Sequence, residues 1–455
     1  MTNRPDKGRL SALSIAALLI ASLQTPLGTT MIAVALPSIG TELAVDLPLA
    51  TGLLVTTYII VNLICQSPGG KLADALGRWR MVETGMLVFA AGAILGAVAT
   101  GIWMLSTGRV LMAVGGALTG PSALAILRNQ VAPERRGRIY GLYGATQSLA
   151  AAIGPAVGGE LVEALGWRAI FYVSVPLIAL ALILARLSGR PQANVTQTRR
   201  VRDVMLGFDW AGTALLAVSL VSLGMAIPMM LLVGAAAAAA FVVWERRIAD
   251  PLLQPRMFAN RIFAAACLII ALQAFTMYGL MFQLPQFFDV ISHASARETG
   301  HLLLAMMLAL FVTSMAGGAL GDRFGPRMVC LGGAGLIFAG VAWLLRLSAA
   351  STPGDAFVGL VLVGLGLGIA WPPAQAAAMS SIDEAQSGLA AGVSSTSRYL
   401  GGALGVLMFS AIVAHGGAGN VQTHRVIIDI FLAAIAISAA ACLLLPGTRR
   451  VGKPA

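Results

Sequence analysis

The chain has 455 residues, of which 58% are hydrophobic and 11% charged, with 30 lysines and arginines against 19 aspartates and glutamates for a net charge of +11. Soluble domains average roughly 45–50% apolar and about 25% charged residues, so this composition excludes a soluble globular protein and indicates a polytopic membrane protein. The excess of positive charge does not indicate a nucleic-acid partner, because the basic residues form short clusters between apolar spans, as cytoplasmic loops do under the positive-inside rule.

Arg4, Lys7 and Arg9 precede the first apolar stretch, Leu10 to Leu36, in which Ala33, Val34 and Ala35 resemble a signal-peptide cleavage site. A signal core runs to only about 7–15 apolar residues, whereas this stretch is long enough to cross a bilayer, so a membrane helix is expected. Apolar runs of similar length follow, and they predict helices over 11–36, 49–68, 80–100, 103–127, 138–162, 168–187, 208–226, 229–244, 262–288, 300–320, 327–347, 355–379, 388–413 and 426–445. The seventh and eighth could be fused into one span broken at Pro228. Loop charge decides against that, because fusion would put Arg246, Arg247, Arg256 and Arg261 outside and invert every later loop. Fourteen helices with both termini cytoplasmic are expected.

The expected organisation is a six-helix bundle over 1–187, a basic connector over 188–207, an inserted helix pair over 208–244, a second connector over 245–261, a six-helix bundle over 262–446 and a tail over 447–455. Cys65, Cys267, Cys330 and Cys442 are far apart in sequence, without metal or redox spacing, and read as small buried hydrophobes. No metal site and no cofactor are expected. His293, His301, His415 and His424 fall near outer helix ends without a nucleophile and base arrangement, and no phosphate-binding loop occurs, so neither an enzyme nor an ATP-driven pump is expected.

Two loops look like copies of one another. Gly70, Asp74 and Gly77 are followed by Arg78 and Arg80, while Gly318, Asp322, Arg323 and Gly325 are followed by Arg327, 248 positions later by subtracting 74 from 322. The aspartates can cap a helix or pair with the arginines, and such a duplicated polar hinge points to a transporter built from related halves. In the fourth span, Arg109 precedes Gly115, and an arginine inside a membrane marks a functional position by default. The fifth span carries Gly144, Gln147, Gly154, Pro155, Gly158 and Gly159, a pattern that permits close helix contact and a bend.

These motifs together resemble the major facilitator superfamily, specifically its fourteen-helix drug:proton antiporter branch. The first hinge resembles the family's loop signature, Arg109 to Gly115 its basic fourth-helix motif, and Gly144 to Gly159 its fifth-helix antiporter motif. Similarity extends to Trp167 to Tyr172 with Pro176, to Phe208, Asp209 and Trp210, to Trp244 through Arg247 with Pro251 and Leu252, and to Arg398 with Gly401, Gly402 and Gly405. The resemblance implies an all-α integral membrane protein of the inner membrane, alternating access between two bundles, and proton entry driving export of a small molecule. One departure matters: the branch usually has an acidic residue where this chain has Gly28.

The polar residues expected at a central cavity are Gln24, Tyr58, Asn62, Gln147, Gln273, Tyr278, Gln283, Trp371, Gln375 and Arg398, besides Arg109. Without an acid in mid-span, they favour neutral, zwitterionic or anionic amphiphiles over strong cations. The partners expected are protons, a small-molecule substrate and the lipid bilayer, with the protein monomeric. A metabolite or siderophore carrier of the same fold and a transport-dead receptor or sensor remain alternatives.

Overall fold

A bilayer offers no hydrogen-bond partners to backbone N–H and C=O groups, so the apolar runs become helices that satisfy those groups internally. The computed structural model describes residues 10–130, 133–188, 209–224, 228–248, 255–382, 387–417 and 419–447, and no strand occurs among them. The N-terminal bundle comprises α1 (Ala12–Leu43), α2 (Leu47–Thr51), α3 (Thr57–Leu76), α4 (Arg78–Ala97), α5 (Ile102–Gln130), α6 (Pro133–Leu165), α7 (Ala169–Tyr172) and α8 (Ser174–Leu187). A π-helical turn, Gly52–Thr56, joins α2 to α3 into one rod, and α7 runs into α8 in the same way. The inserted pair is α9 (Trp210–Gly224) and α10 (Pro228–Glu245). The C-terminal bundle comprises α11 (Arg261–Ser292), α12 (Ala296–Phe324), α13 (Pro326–Trp343), α14 (Phe357–Ser380), α15 (Ser387–Gly416) and α16 (Val421–Cys442).

Fourteen rods therefore stand where fourteen were expected, and eleven of them are long and apolar enough to cross a membrane by length and composition. Most run past the apolar core that marked them, because polar residues continue a helix beyond the hydrocarbon region. The helix expected over 11–36, for example, extends to Leu43 and closes on a left-handed Ala44. Large apolar side chains such as Trp103, Val312 and Met315 remain exposed.

The duplication is visible in packing. A Cβ on Gly85 would lie 2.7 Å from the Gly115 carbonyl oxygen, and one on Gly92 would lie 2.5 Å from that of Gly108, so α4 and α5 meet backbone to backbone. In the second bundle, Gly333 stands at 2.7 Å from the Gly366 carbonyl and Gly340 at 2.5 Å from that of Gly359, which zips α13 to α14. Small residues at such crossings supply the van der Waals contact that association in lipid needs.

Both hinges turn on a glycine with positive φ, 98° at Gly77 and 83° at Gly325, a conformation that a side chain would strain. Gly70 and Gly318 have open space around them. The tightly packed hinge glycines are their predecessors: a Cβ on Gly69 would meet the Ala117 carbonyl at 2.9 Å, and one on Gly317 the Gly368 carbonyl at 2.6 Å. The cysteines also differ from their sequence spacing, since Cys267, Cys330 and Cys442 share one buried cluster, with Cys330 Sγ donating to the Ala370 carbonyl at 3.4 Å, while all four remain free thiols.

The inserted pair lies against the seam between the bundles. Leu216 and Phe241 of the pair pack in one apolar cluster with Ile60 and Leu63 of α3 and Leu407 of α15. Asp209 holds the pair together, its Oδ1 accepting from the Gly212 N–H and from Trp244 Nε1, both at 2.8 Å.

Candidate functional site

Arg109 is a fully buried charged side chain of the N-terminal bundle, with 1% of its surface exposed. Its Nε donates to the Leu54 carbonyl at 2.9 Å and its Nη1 to the Gly28 carbonyl at 3.3 Å, while the guanidinium carbon lies 4.0 Å from the Tyr58 ring centroid. Leu54 belongs to the π-helical turn, and neighbouring Leu53 accepts from Ser106 Oγ at 3.2 Å. This widened turn is thus the socket on which α5 docks, in keeping with the frequent placement of π-bulges at functional sites. Gly115, expected beside Arg109 in a coupling role, instead packs against Gly85 and Phe89 of α4.

Tyrosines from both bundles converge beyond this socket. Tyr58 is buried in the apolar cluster against which Tyr143 of α6, Tyr278 of α11 and Tyr399 of α15 pack. Arg398 also lies 5.6 Å from the Trp371 ring and 5.0 Å from the Tyr399 ring, distances at which a guanidinium is held by aromatic faces. Gln147 donates to the Tyr143 hydroxyl at 3.4 Å. Gln24 and Gln273 are buried with both amide atoms unpartnered. The side chains at this convergence are aromatic, amide and cationic. The buried carboxylates among the described residues, Asp209 and Glu245, belong to the inserted pair.

Three expected cavity residues serve other contacts. Asn62 donates to the Ala113 carbonyl at 3.1 Å and accepts from Gln66, which ties α3 to α5. Gln375 accepts from Ser394 Oγ at 2.7 Å within the C-terminal bundle. Gln283 lies toward the end away from the hinges, with its Nε2 3.1 Å from Nδ1 of His424. His424 is only 3% exposed and packs edge-on against Phe287 at 4.4 Å. Its place near a helix end in sequence hid that burial. Tyr143 and Tyr399 were also missed, although Tyr143 is one helical turn from Gln147 and Tyr399 adjoins Arg398.

The hinge arginines act on helix ends. Arg78 Nη1 donates to the Ala125 carbonyl at 3.4 Å, and Arg327 Nε to the Leu445 carbonyl at 2.8 Å. Arg80 and Asp322 are exposed, and Arg323 lies 5.2 Å from the Phe324 ring. The side chain of Asp74 and the surroundings of Gly144 lie outside the described residues.

At the end away from the hinges, the bundles are shut against one another. A Cβ on Gly159 would collide with the Ala296 carbonyl and one on Gly300 with the Pro155 carbonyl, so α6 and α12 touch backbone to backbone. Gly154 and Gly158 face the other way, onto Thr30 and Met31 of α1. Around that contact, Arg297 Nη2 lies 2.8 Å from Glu160 Oε2 and its Nη1 3.8 Å from Glu163, while His301 Nε2 lies 3.3 Å from Glu160. Gln286 of α11 donates to Thr51 of α2 at 3.2 Å across the same closure. Within the N-terminal bundle, Trp167 donates to Glu42 at 2.8 Å, and Arg168 pairs with the same carboxylate and donates to the Ala99 carbonyl at 2.9 Å.

The family model described as Major Facilitator Superfamily matches residues 18–406 and 266–454. The chain belongs to the major facilitator superfamily. Among the relatives of this facilitator, the Multidrug transporter protein MdtP of Bacillus subtilis (strain 168) is 28% identical over 444 residues, covering 93% of this chain and 79% of that one. The Puromycin resistance protein pur8 of Streptomyces alboniger is 31% identical over 430 residues, covering 92% of this chain and 85% of its own length. A bacterial homologue of the human lysosomal transporter Spinster, solved inward-facing and occupied, shares the fold with a TM-score of 0.70 at 17% identity, each chain covered to 97%. The facilitator is a multi-pass transporter of the inner membrane and not an enzyme.

Proposed function

We propose that this facilitator is a proton-coupled exporter of drugs or other amphiphilic small molecules, working as a monomer with both termini cytoplasmic. On that orientation, the end closed by Gly159, Ala296, Pro155 and Gly300 is the outer one, and the described conformation is inward-facing. This closure is the observation that carries the reading: a backbone contact in which a glycine meets the carbonyl of the other bundle can be broken and remade without unpacking either bundle, as alternating access requires. The rim pairs around it are half-exposed and individually weak, which suits a gate that must open.

Substrate polarity follows from the lining. Tyrosines, glutamines, Trp371 and Arg398 surround the seam, and the buried carboxylates among the described residues, Asp209 and Glu245, belong to the inserted pair, so neutral, zwitterionic or anionic amphiphiles are favoured over quaternary cations. A resistance and uptake screen in an efflux-deficient host tests the reading, comparing wild type with Asp74→Asn and Arg109→Ala. Resistance from the wild type that both changes abolish supports it. Export that survives Arg109→Ala, with quaternary ammonium compounds as the best substrates, would sink the assignment of polarity and mechanism together.

A further inference from the structure

Arg109 is buried in a shell that satisfies most of its guanidinium but does not neutralise it. Nε and Nη1 have carbonyl acceptors, Leu54 and Gly28, and one face lies on Tyr58. Nη2 has no hydrogen-bond partner, although the residue is 1% exposed. Tyr58 is the titratable side chain set against it, and no ion pair balances its charge among the described residues. A buried guanidinium without a counter-charge is among the most expensive arrangements in a protein, and in a membrane it marks a site where the charge is met by something else.

The space for that counter-charge is beside Gly28. A Cβ there would lie 3.7 Å from Met112 Cε, 3.8 Å from Phe89 Cζ and 3.9 Å from Arg109 Nη1, all ordinary contacts, so a methyl-sized space lies beside the guanidinium. One helical turn earlier on α1, Gln24 holds two unpartnered amide atoms in a buried setting. We propose that the Arg109 guanidinium, with its unpartnered Nη2, and the space at Gly28 form a binding site for a monovalent anionic group, either the carboxylate of a transported compound or a free halide. The inference rests on the transport reading only for the source of the anion.

The test uses purified full-length protein in chloride-free gluconate buffer, with sodium benzoate and sodium chloride as probes and thermal unfolding as the readout. Wild type should show a saturable rise in Tm with at least one of the two. Gly28→Asp, which fills the space and supplies a carboxylate from the chain itself, should weaken that response at least tenfold. Arg109→Gln should abolish it, which covers the case of a Gly28→Asp chain that folds poorly. A benzoate response with benzoate flux in proteoliposomes assigns the site to cargo, and a chloride response without that flux assigns it to a resident ion. Either result supports the site. Absence of any response in wild type, or an undiminished response in Gly28→Asp and Arg109→Gln, overturns it. If anion responses behave as expected while no compound is transported, the export reading fails and the anion site stands.

Discussion

Arg109 shows how a single residue can be legible in sequence while its action is not. A charge in mid-span marks the position, but its dependence on a π-helical turn is a property of backbone geometry that residue types at separations of 55 and 81 positions do not reveal. Lysine at this place keeps the charge and loses the planar fork that serves two carbonyls on different helices. Arg109→Lys is therefore expected to lower transport at least tenfold, measured as substrate flux per reconstituted molecule, despite its conserved charge. His424 is the converse case. Placed at a helix end by its position in the chain, it is buried because α16 packs that end against Phe287 of α11. His424→Leu should cost about 1–3 kcal/mol by leaving the Gln283 amide without its partner, and Gln283→Leu in the same chain should recover part of that loss in a double-mutant cycle of unfolding midpoints.

At the scale of elements, the helices and their order follow from hydropathy and loop charge, because lipid forces every apolar run of sufficient length into one solution. Which glycines matter does not follow so directly. The hinge pattern marks Gly70 and Gly318, but packing falls on Gly69 and Gly317, because the face that meets α5 or α14 depends on helix rotation and not on the loop motif. Gly115→Leu is expected to destabilise the α4 and α5 pair by about 1–3 kcal/mol, since its Cβ would meet backbone at 2.5 Å that cannot move aside as a flexible side chain would. Thermal unfolding of the purified protein checks this. Gly159→Val acts on a different contact, between bundles, and should favour the outward-open state with little loss of stability. Faster thiol labelling of a cysteine introduced at Thr51, buried at the same closure beside Gln286, would report that opening, and unchanged labelling would argue against the gate.

For the whole molecule, the duplication read from two loops proves to be repeated packing: a glycine zipper in each bundle, a positive-φ glycine at each hinge, and an arginine after each hinge holding a distant helix end. Such a build gives two stiff bodies with a seam, and the seam is closed by backbone contact at one end. The meeting of Tyr58, Tyr143, Tyr278 and Tyr399 across that seam was not legible, because it depends on how the two bundles are set against one another. The most direct measurement of proton-coupled export is the pH gradient of everted inner-membrane vesicles during addition of an amphiphilic substrate. The account predicts a substrate-induced collapse of the gradient with wild type and none with Arg109→Ala. Transport of substrate into those vesicles with an undisturbed gradient would contradict it.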